Sequence, residues 1–294
     1  MLETLIQEKI RPKKRLSQNF LINANAAKRI VESLNLKTDE AVLEIGPGKG
    51  ALTRYLIQRS RRVIGVEIDK SLCSFLRKKF ALNENLEIVN RDFLKVDFQK
   101  VILPHRKVKV IGNLPYQITS PALALLLENR KRIELAVLTV QKEVAQRICG
   151  QPGGKSWSPL SIGIQLYADP EILFKVKPSS FRPAPKVESA VIRLAFLRKP
   201  KVKIGDEKSF SRLVKAAFSQ RRKTVANSLA SSLGWPKDLI LRALSQANID
   251  SNRRAETLSI RELALLCDSM SSLGQEENEI KKKYRFCVSC TARF

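Results

Sequence analysis

Between residues 41 and 141 the chain alternates short apolar runs with segments of helical periodicity, and this alternation restricts the possible folds more than any other feature. The apolar runs are rich in β-branched residues, as strands are. Alternating strands and helices predict a parallel sheet that is covered by helices on both faces. The runs are AVLEI (41–45), RVIGVEI (62–68), LEIVN (86–90), VKVIGN (108–113) and ELAVLTVQ (134–141).

Two later apolar runs, EILFKV (171–176) and SAVIRLAFL (189–197), have no clear helix between them, so we expect an antiparallel pair. The segment 198–206 is basic, carries a proline and resembles a linker, and every pattern beyond it is helical. The predicted fold class is α/β: a doubly wound, mostly parallel seven-stranded sheet with a smaller all-α C-terminal domain. The predicted boundaries are residues 1–198 for the sheet domain, 207–273 for the helical domain and 274–294 for a flexible tail.

The charge of the chain predicts a polyanionic partner. Lys and Arg number 54 against 28 Asp and Glu, a formal net charge of +26. Nucleic acid is the first candidate for such a partner and an anionic membrane surface the second. No apolar run is long enough to span a bilayer, and five scattered cysteines fit a reducing cytoplasm. We therefore expect a cytoplasmic protein that binds nucleic acid and does not enter a membrane.

The single histidine, His105, excludes histidine-based catalytic triads and most metal sites. Cys287 and Cys290 form one C-x-x-C pair, which without a second pair or a nearby histidine is a weak zinc signal. We interpret this pair as incidental and predict no metal site.

Three glycines, Gly46, Gly48 and Gly50, follow the first predicted strand and precede a helical segment. Glycines at such a place let the backbone turn sharply and approach a ligand closely. The pattern is G-x-G-x-G, so it does not meet the dinucleotide pattern G-x-G-x-x-G. It is not a phosphate-binding P-loop either, because Lys49 is followed by glycine rather than Ser or Thr.

Carboxylates end the next two strands. Glu67 lies roughly 20 residues after Gly46, the spacing at which a carboxylate holds the hydroxyls of a ribose. Asp92 follows the third strand, at the same carboxyl edge of a parallel sheet. A ligand-free tight turn, a solvated carboxylate or a helix cap would explain each feature singly. Together they predict a nucleoside-containing cofactor.

The fourth strand ends in Asn113-Leu114-Pro115-Tyr116, an amide, a carbonyl, a rigid ring and an aromatic side chain in succession. If the cofactor is S-adenosylmethionine, this order suits an amino group on a flat ring. The Asn113 side-chain oxygen and the Leu114 carbonyl would accept its two hydrogens and aim its lone pair at the methyl group. Pro115 restricts the backbone, and Tyr116 can stack on an unpaired base. Rate would come from orientation and preplaced acceptors, without a histidine base.

These segments resemble the small-subunit ribosomal RNA adenine N6-dimethyltransferases (KsgA-type), which are class I S-adenosylmethionine-dependent methyltransferases with a Rossmann-like fold. The resemblance runs from about Arg11 to about Leu266. The matching segments are SQNFLIN (17–23), VLEIGPGKGALT (42–53), VEID (66–69), RDFL (91–94), NLPY (113–116), QKEVAQRI (141–148), FRPAPKVESAVIRL (181–194), AAFSQRRKTVANSL (216–229) and RAETLSIRELALL (254–266).

The resemblance implies roles for individual residues. Glu67 would hold the ribose, Asp92 the adenine amino group, and Phe181 would be a second aromatic face for the target base. The implied cofactor-binding residues are Asn19, Leu21, Gly46, Gly48, Glu67, Asp92 and Asn113, and the implied catalytic residues are Asn113, Leu114, Pro115, Tyr116 and Phe181. The chain departs from the family at Ser17, where Gly is usual, and at Ser158-Pro159, where Gly-Arg is common.

Two basic clusters are candidates for phosphate contacts, although a solvated face would also explain a run of charges. They comprise Lys13, Lys14 and Arg15 near the N-terminus, and Arg221, Arg222 and Lys223 at the start of a predicted helix.

The resemblance implies that a monomer dimethylates two adjacent adenosines in a loop near the 3′ end of small-subunit ribosomal RNA, within an assembling 30S-type subunit. One alternative is a large-subunit methylase of the antibiotic-resistance type, in which Ile is more frequent at the position of Leu114. The other is a non-catalytic RNA-binding assembly factor.

Overall fold

The computed structural model describes residues 11–13, 16–102 and 107–274. The strands in these ranges are β1 (Phe20–Leu21), β2 (Ala41–Ile45), β3 (Arg62–Glu67), β4 (Leu86–Asn90), β5 (Val108–Asn113), β6 (Ile133–Gln141), β7 (Ala168–Val176), β8 (Phe181–Arg182) and β9 (Ser189–Phe196). The helices are α1 (Ala24–Glu32), α2 (Thr53–Leu56), α3 (Lys70–Lys79), α4 (Phe98–Val101), α5 (Thr119–Glu128), α6 (Lys142–Ile148), α7 (Pro159–Gln165), α8 (Glu207–Ala217), α9 (Val225–Leu233), α10 (Lys237–Gln246) and α11 over residues 260–274.

Seven of the strands form one sheet in the order β4-β3-β2-β5-β6-β9-β7. The strands from β4 to β6 are parallel, and β9 runs antiparallel to both β6 and β7. The predicted fold class is therefore confirmed, including the late antiparallel pair. The small strands β1 and β8 pair separately, and Leu21 lies opposite Phe181.

Burial explains why the parallel strands appear as continuous apolar runs. Nearly all residues of β2, β3 and β5 are buried, since helices cover both faces of the sheet. The edge strand β7 instead mixes buried and exposed positions. Helix α1 packs its buried face, which includes Ile30 and Val31, into the same core as Val42 and Val63.

The chain divides into two compact units. Of the described residues, the first contains those up to Cys149 and Tyr167–Lys199, and the second contains Gly150–Leu166 and residues 200–274. This division differs from the predicted continuous first domain over residues 1–198, because the segment 150–166 groups with the later helices. The predicted tail after Gly274, the Cys287–Cys290 pair and His105 lie outside the described residues.

The second unit consists of helices, several of which have side-chain caps. Asp206 caps α8 through the Ser209 amide, Thr224 caps α9, and Gly234 ends α9 in the left-handed conformation. Trp157 is buried and donates from Nε1 to the Leu258 carbonyl, so this indole packs within the unit. Among the described residues, no helix is long and apolar enough to cross a membrane.

Candidate active site

A cavity opens at the carboxyl edge of the sheet in the first unit. Its walls come from the N-terminal segment, the glycine-rich loop, the ends of β3 and β5, the turn after β4, and β8. It brings together all the residues predicted for cofactor binding and catalysis: Asn19, Leu21, Gly46, Gly48, Glu67, Asp92, Asn113, Leu114, Pro115, Tyr116 and Phe181. The structure thus shows that these residues line one cavity, and the role of each residue stays a prediction.

The glycine-rich loop needs glycine for two different reasons. Gly46 and Gly48 have φ angles of 62° and 57°, a region that side-chain-bearing residues rarely adopt. A Cβ on Gly48 would also lie 3.1 Å from the Phe20 ring. The Gly48 amide donates to Oε2 of Glu67 at 3.1 Å, which ties the loop to the end of β3.

Glu67 is buried, with 4% of its surface exposed. Its second carboxylate oxygen, Oε1, accepts from the Asp69 amide at 2.9 Å. Burial raises the pKa of Glu67, although the amides of Asp69 and Gly48 oppose this by bonding its charged form. The two oxygens of Glu67 are therefore oriented by backbone donors at the wall of the cavity.

Asp92 is half-buried beyond the end of β4. Its Oδ1 accepts from the Leu94 amide at 3.0 Å and caps a short turn of 3-10 helix. Within the described ranges, Oδ2 has no hydrogen-bond donor. That oxygen is available as an acceptor for an amino group.

Asn113 has a fixed orientation. Its Nδ2 donates to the carbonyl of Asn19 at 2.9 Å. Because a carbonyl only accepts, the nitrogen must face it, and Oδ1 is left without a donor among the described residues. The Leu114 amide donates to the Thr139 carbonyl, and no described donor bonds the Leu114 carbonyl itself. Two consecutive residues thus present unpaired acceptors at the cavity.

Two aromatic side chains complete the wall beside these acceptors. The Tyr116 hydroxyl lies 2.8 Å from Oγ of Ser189, which restrains the ring. Phe181 is only 3% exposed, so just part of its ring faces the cavity.

The N-terminal segment is fixed over the cavity by a buried carboxylate. Lys13 Nζ lies 2.7 Å from Oδ1 of Asp69, and Gln18 donates to Oδ2 at 3.4 Å. Burial opposes ionisation of Asp69, yet the bonds from Lys13, Ser71 and Gln18 outweigh it and hold its pKa below the ordinary value. The sequence predicted a phosphate contact for Lys13, whereas the structure pairs its ammonium with this carboxylate.

Glu44 is a cavity residue that the sequence analysis missed. It lies one residue before the end of β2, is 1% exposed, and accepts a 2.7 Å hydrogen bond from Oγ1 of Thr53. Burial raises its pKa to about 8, with a smaller contribution from the charge of Glu67. The available signal was a lone acidic residue inside the apolar run AVLEI.

The other predicted RNA contacts are distributed differently. Arg221, Arg222 and Lys223 are exposed in the turn before α9 rather than within its first turn, and Arg221 donates to the Lys155 carbonyl at 3.3 Å. Lys14 and Arg15 lie outside the described residues. Across the described ranges, no group of three or more His, Cys, Asp or Glu residues could hold a metal ion.

Comparison with known proteins gives consistent matches over most of the chain. A family model described as "Ribosomal RNA adenine dimethylase" matches residues 9–271. The chain is 43% identical over 268 residues to ribosomal RNA small subunit methyltransferase A of Alkaliphilus metalliredigens, covering 90% of this chain and 93% of that protein. It is 43% identical over 270 residues to the protein of the same name from Geobacter metallireducens, covering 91% and 98%.

Solved structures show the same fold. A dimethyladenosine transferase from Plasmodium falciparum matches with a TM-score of 0.75 and 26% identity, covering 87% of this chain and 98% of that one. The 23S rRNA methyltransferase ErmE matches with a TM-score of 0.68 and 31% identity, covering 86% and 100%.

Proposed function

This chain belongs to the ribosomal RNA adenine dimethylase family, and we propose that it dimethylates two adjacent adenosines near the 3′ end of small-subunit RNA. Members of this family transfer methyl groups from S-adenosylmethionine to adenines of ribosomal RNA. The enzyme is an S-adenosylmethionine-dependent adenine-N6 dimethyltransferase. The proposed substrate is a loop of this RNA within an assembling subunit, which the protein would meet in the cytoplasm as a monomer.

The residues of the cavity suit this cofactor. The glycine-rich loop offers a close backbone approach, and the Glu67 carboxylate is oriented at the sheet edge to accept from ribose hydroxyls. Oδ2 of Asp92 is an acceptor for the adenine amino group. When bound, the cofactor supplies an electrophilic methyl group on a sulfonium.

The observation that carries the proposal is the pair of unpaired acceptors at Asn113 and Leu114. The amino nitrogen of adenine is a poor nucleophile because its lone pair is delocalised into the ring. Oδ1 of Asn113 and the Leu114 carbonyl would accept its two hydrogens and favour a tetrahedral nitrogen. The methylated nitrogen loses its proton readily, so these residues need no general base beside them. Tyr116 would hold the face of a base that has swung out of its helix.

The small subunit is the preferred substrate because relatives named for it are 43% identical, against 31% for the large-subunit enzyme ErmE. A non-catalytic assembly factor would not need the acceptor pair, which is intact here. No observation favours either alternative over the small-subunit enzyme.

The test measures transfer of label from S-adenosylmethionine to unmethylated small subunits. We expect Asn113→Ala to lower transfer at least about a hundredfold, since a preplaced polar group is lost from the reacting centre, and to leave RNA binding nearly unchanged. Asn129→Ala is the matched control, because the Asn129 amide also donates to a backbone carbonyl, that of Leu125, outside the cavity. Equal loss of transfer and RNA binding in Asn113→Ala would contradict the assigned role.

A further inference from the structure

The carboxyl edge of the sheet continues past Asn113 onto β6, β9 and β7, and this part of the edge carries lysines. Gln141, Ser189 and Val176 lie side by side in the strand register. Lys142 follows β6, Glu188 precedes β9 and Lys177 follows β7, so these three residues are adjacent at one edge. Lys175 lies two residues before Lys177 on β7.

One carboxylate faces three ammonium groups here. Nζ of Lys142 lies 2.7 Å from Oε2 of Glu188, and the Lys142 amide donates to the Glu188 carbonyl at 3.0 Å. The hydrogen bond from Lys142 and the fields of Lys142, Lys175 and Lys177 hold the pKa of Glu188 below its ordinary value. Lys175 and Lys177 are exposed and form no ion pair with any described residue. The cluster therefore keeps a positive charge on its solvent side.

The cluster lies next to the proposed base site. Tyr116 bonds Ser189, which directly follows Glu188 in the chain. Asn113 pairs with Thr139, two residues before the end of β6. Adjacent strands lie about 4.8 Å apart. Lys142 therefore lies about one strand from Asn113, and Lys175 and Lys177 lie one strand beyond Ser189, which Tyr116 contacts.

We propose that Lys142, Lys175 and Lys177, here called the basic row, bind phosphates of the RNA strand that carries the target adenosine. This inference rests on the proposed function and adds the path of the substrate at the site. An unpaired base can enter the cavity only if its flanking backbone runs along the mouth, and exposed ammonium groups hold such a backbone without reading its sequence. In the absence of RNA, Glu188 forms an ion pair with Lys142, and it therefore competes with phosphate for the Lys142 ammonium group.

The test compares Lys175→Ala and Lys177→Ala with Lys107→Ala. Lys107 is an exposed lysine just before β5, at the opposite edge of the same sheet. The probe is a small-subunit RNA fragment that contains the two adenosines, in a filter-binding assay across salt concentrations. Each substitution in the basic row should lower the salt slope of log K by about 0.7 and weaken binding about fivefold at 0.1 M salt. Methyl transfer at subsaturating RNA should fall by the same factor as binding, and the control should bind like the parent.

Glu188→Gln provides a test of opposite sign, since it frees Lys142 and removes the competing charge. It should bind the fragment more tightly, with a steeper salt slope. The basic row is refuted if the alanine variants bind like Lys107→Ala, or if Glu188→Gln weakens binding. Methyl transfer by the parent protein separates this outcome from the proposed function. If the parent transfers methyl groups but the variants of the basic row bind RNA like the parent, only the basic row is refuted. If the parent transfers no methyl groups, the proposed function is refuted, and the RNA-binding assay still tests the basic row.

Discussion

Two buried carboxyl groups lie at the wall of the cavity, Glu44 one residue before the end of β2 and Glu67 at the end of β3. Both have raised pKa values because burial disfavours their charged forms. Their positions in the sequence are not equally informative. Glu67 ends a strand at the spacing of a ribose-binding residue, so the sequence identifies it. The protonation of Glu44 depends on the side chains packed around it, which no local pattern records.

The raised pKa of Glu44 predicts a pH dependence of stability. The unfolded chain releases this proton near its ordinary pKa of 4.5, whereas the folded chain keeps it until about pH 8. Between these values the unfolded state binds fewer protons, so the free energy of unfolding falls as pH rises, by at most about 1.4 kcal/mol per pH unit. Glu67 contributes with the same sign.

Glu44→Gln tests this contribution because its amide stays neutral at every pH and retains a bond to Thr53. Urea unfolding at several pH values should show similar stability for variant and parent near pH 5. At pH 8 the variant should be the more stable of the two. Parallel curves across this range would show that Glu44 is already charged in the folded protein.

The N-terminal segment is the element whose contacts the sequence indicates least well. A run of basic residues predicts phosphate contacts there, yet Lys13 pairs with Asp69, the cap of helix α3. Such long-range pairing, across 56 residues, cannot be inferred from local charge. The positive φ angle of Ser17 likewise cannot be inferred from the local sequence. The resemblance indicates Gly at this position, and the backbone angle gives the physical reason for it.

The departure at Ser158-Pro159 also has an explanation at the scale of an element. Ser158 caps helix α7 in a reciprocal arrangement with Ser161, and Pro159 takes the first helical position, where its missing N–H costs little. These residues therefore begin a helix where the family commonly has Gly-Arg.

Lys13→Met should weaken binding of S-adenosylhomocysteine in the absence of RNA. The substitution leaves the buried Asp69 carboxylate without its cation and loosens a wall of the cavity, at a cost of up to about tenfold in the dissociation constant. Adding Asp69→Asn should recover part of the loss, since the unpaired charge disappears and Asn still caps a helix. Isothermal titration of the single and double variants measures both effects. If Lys13→Met changed only RNA affinity, the phosphate contact predicted from the sequence would be correct instead.

At the scale of the whole molecule, the fold class follows from the alternation of strands and helices, while the division into units does not. The sequence places residues 150–166 between two strands of the sheet, and continuity along the chain assigns them to the first domain. Tertiary contacts assign them to the second unit. The sequence does not show that residues 150–166 belong to the second unit, because this segment is short and contains its own helix, α7. The strand order, with β9 between β6 and β7, also depends on contacts between residues that are distant in the sequence.

Hydrogen exchange with and without S-adenosylhomocysteine should separate the two units. A ligand that binds only the folded state, at a hundred times its dissociation constant, stabilises it by about 2.7 kcal/mol. Amides around the cavity that exchange only through opening of this site should therefore slow about a hundredfold, including those of residues 16–21 and 113–118. Residues 150–166 should keep their exchange rates, as should helix α10, which serves as the control. Protection of 150–166 equal to that of the cavity peptides would place this segment in the first unit, because amides that open together with the cofactor site must respond to the ligand by the same factor.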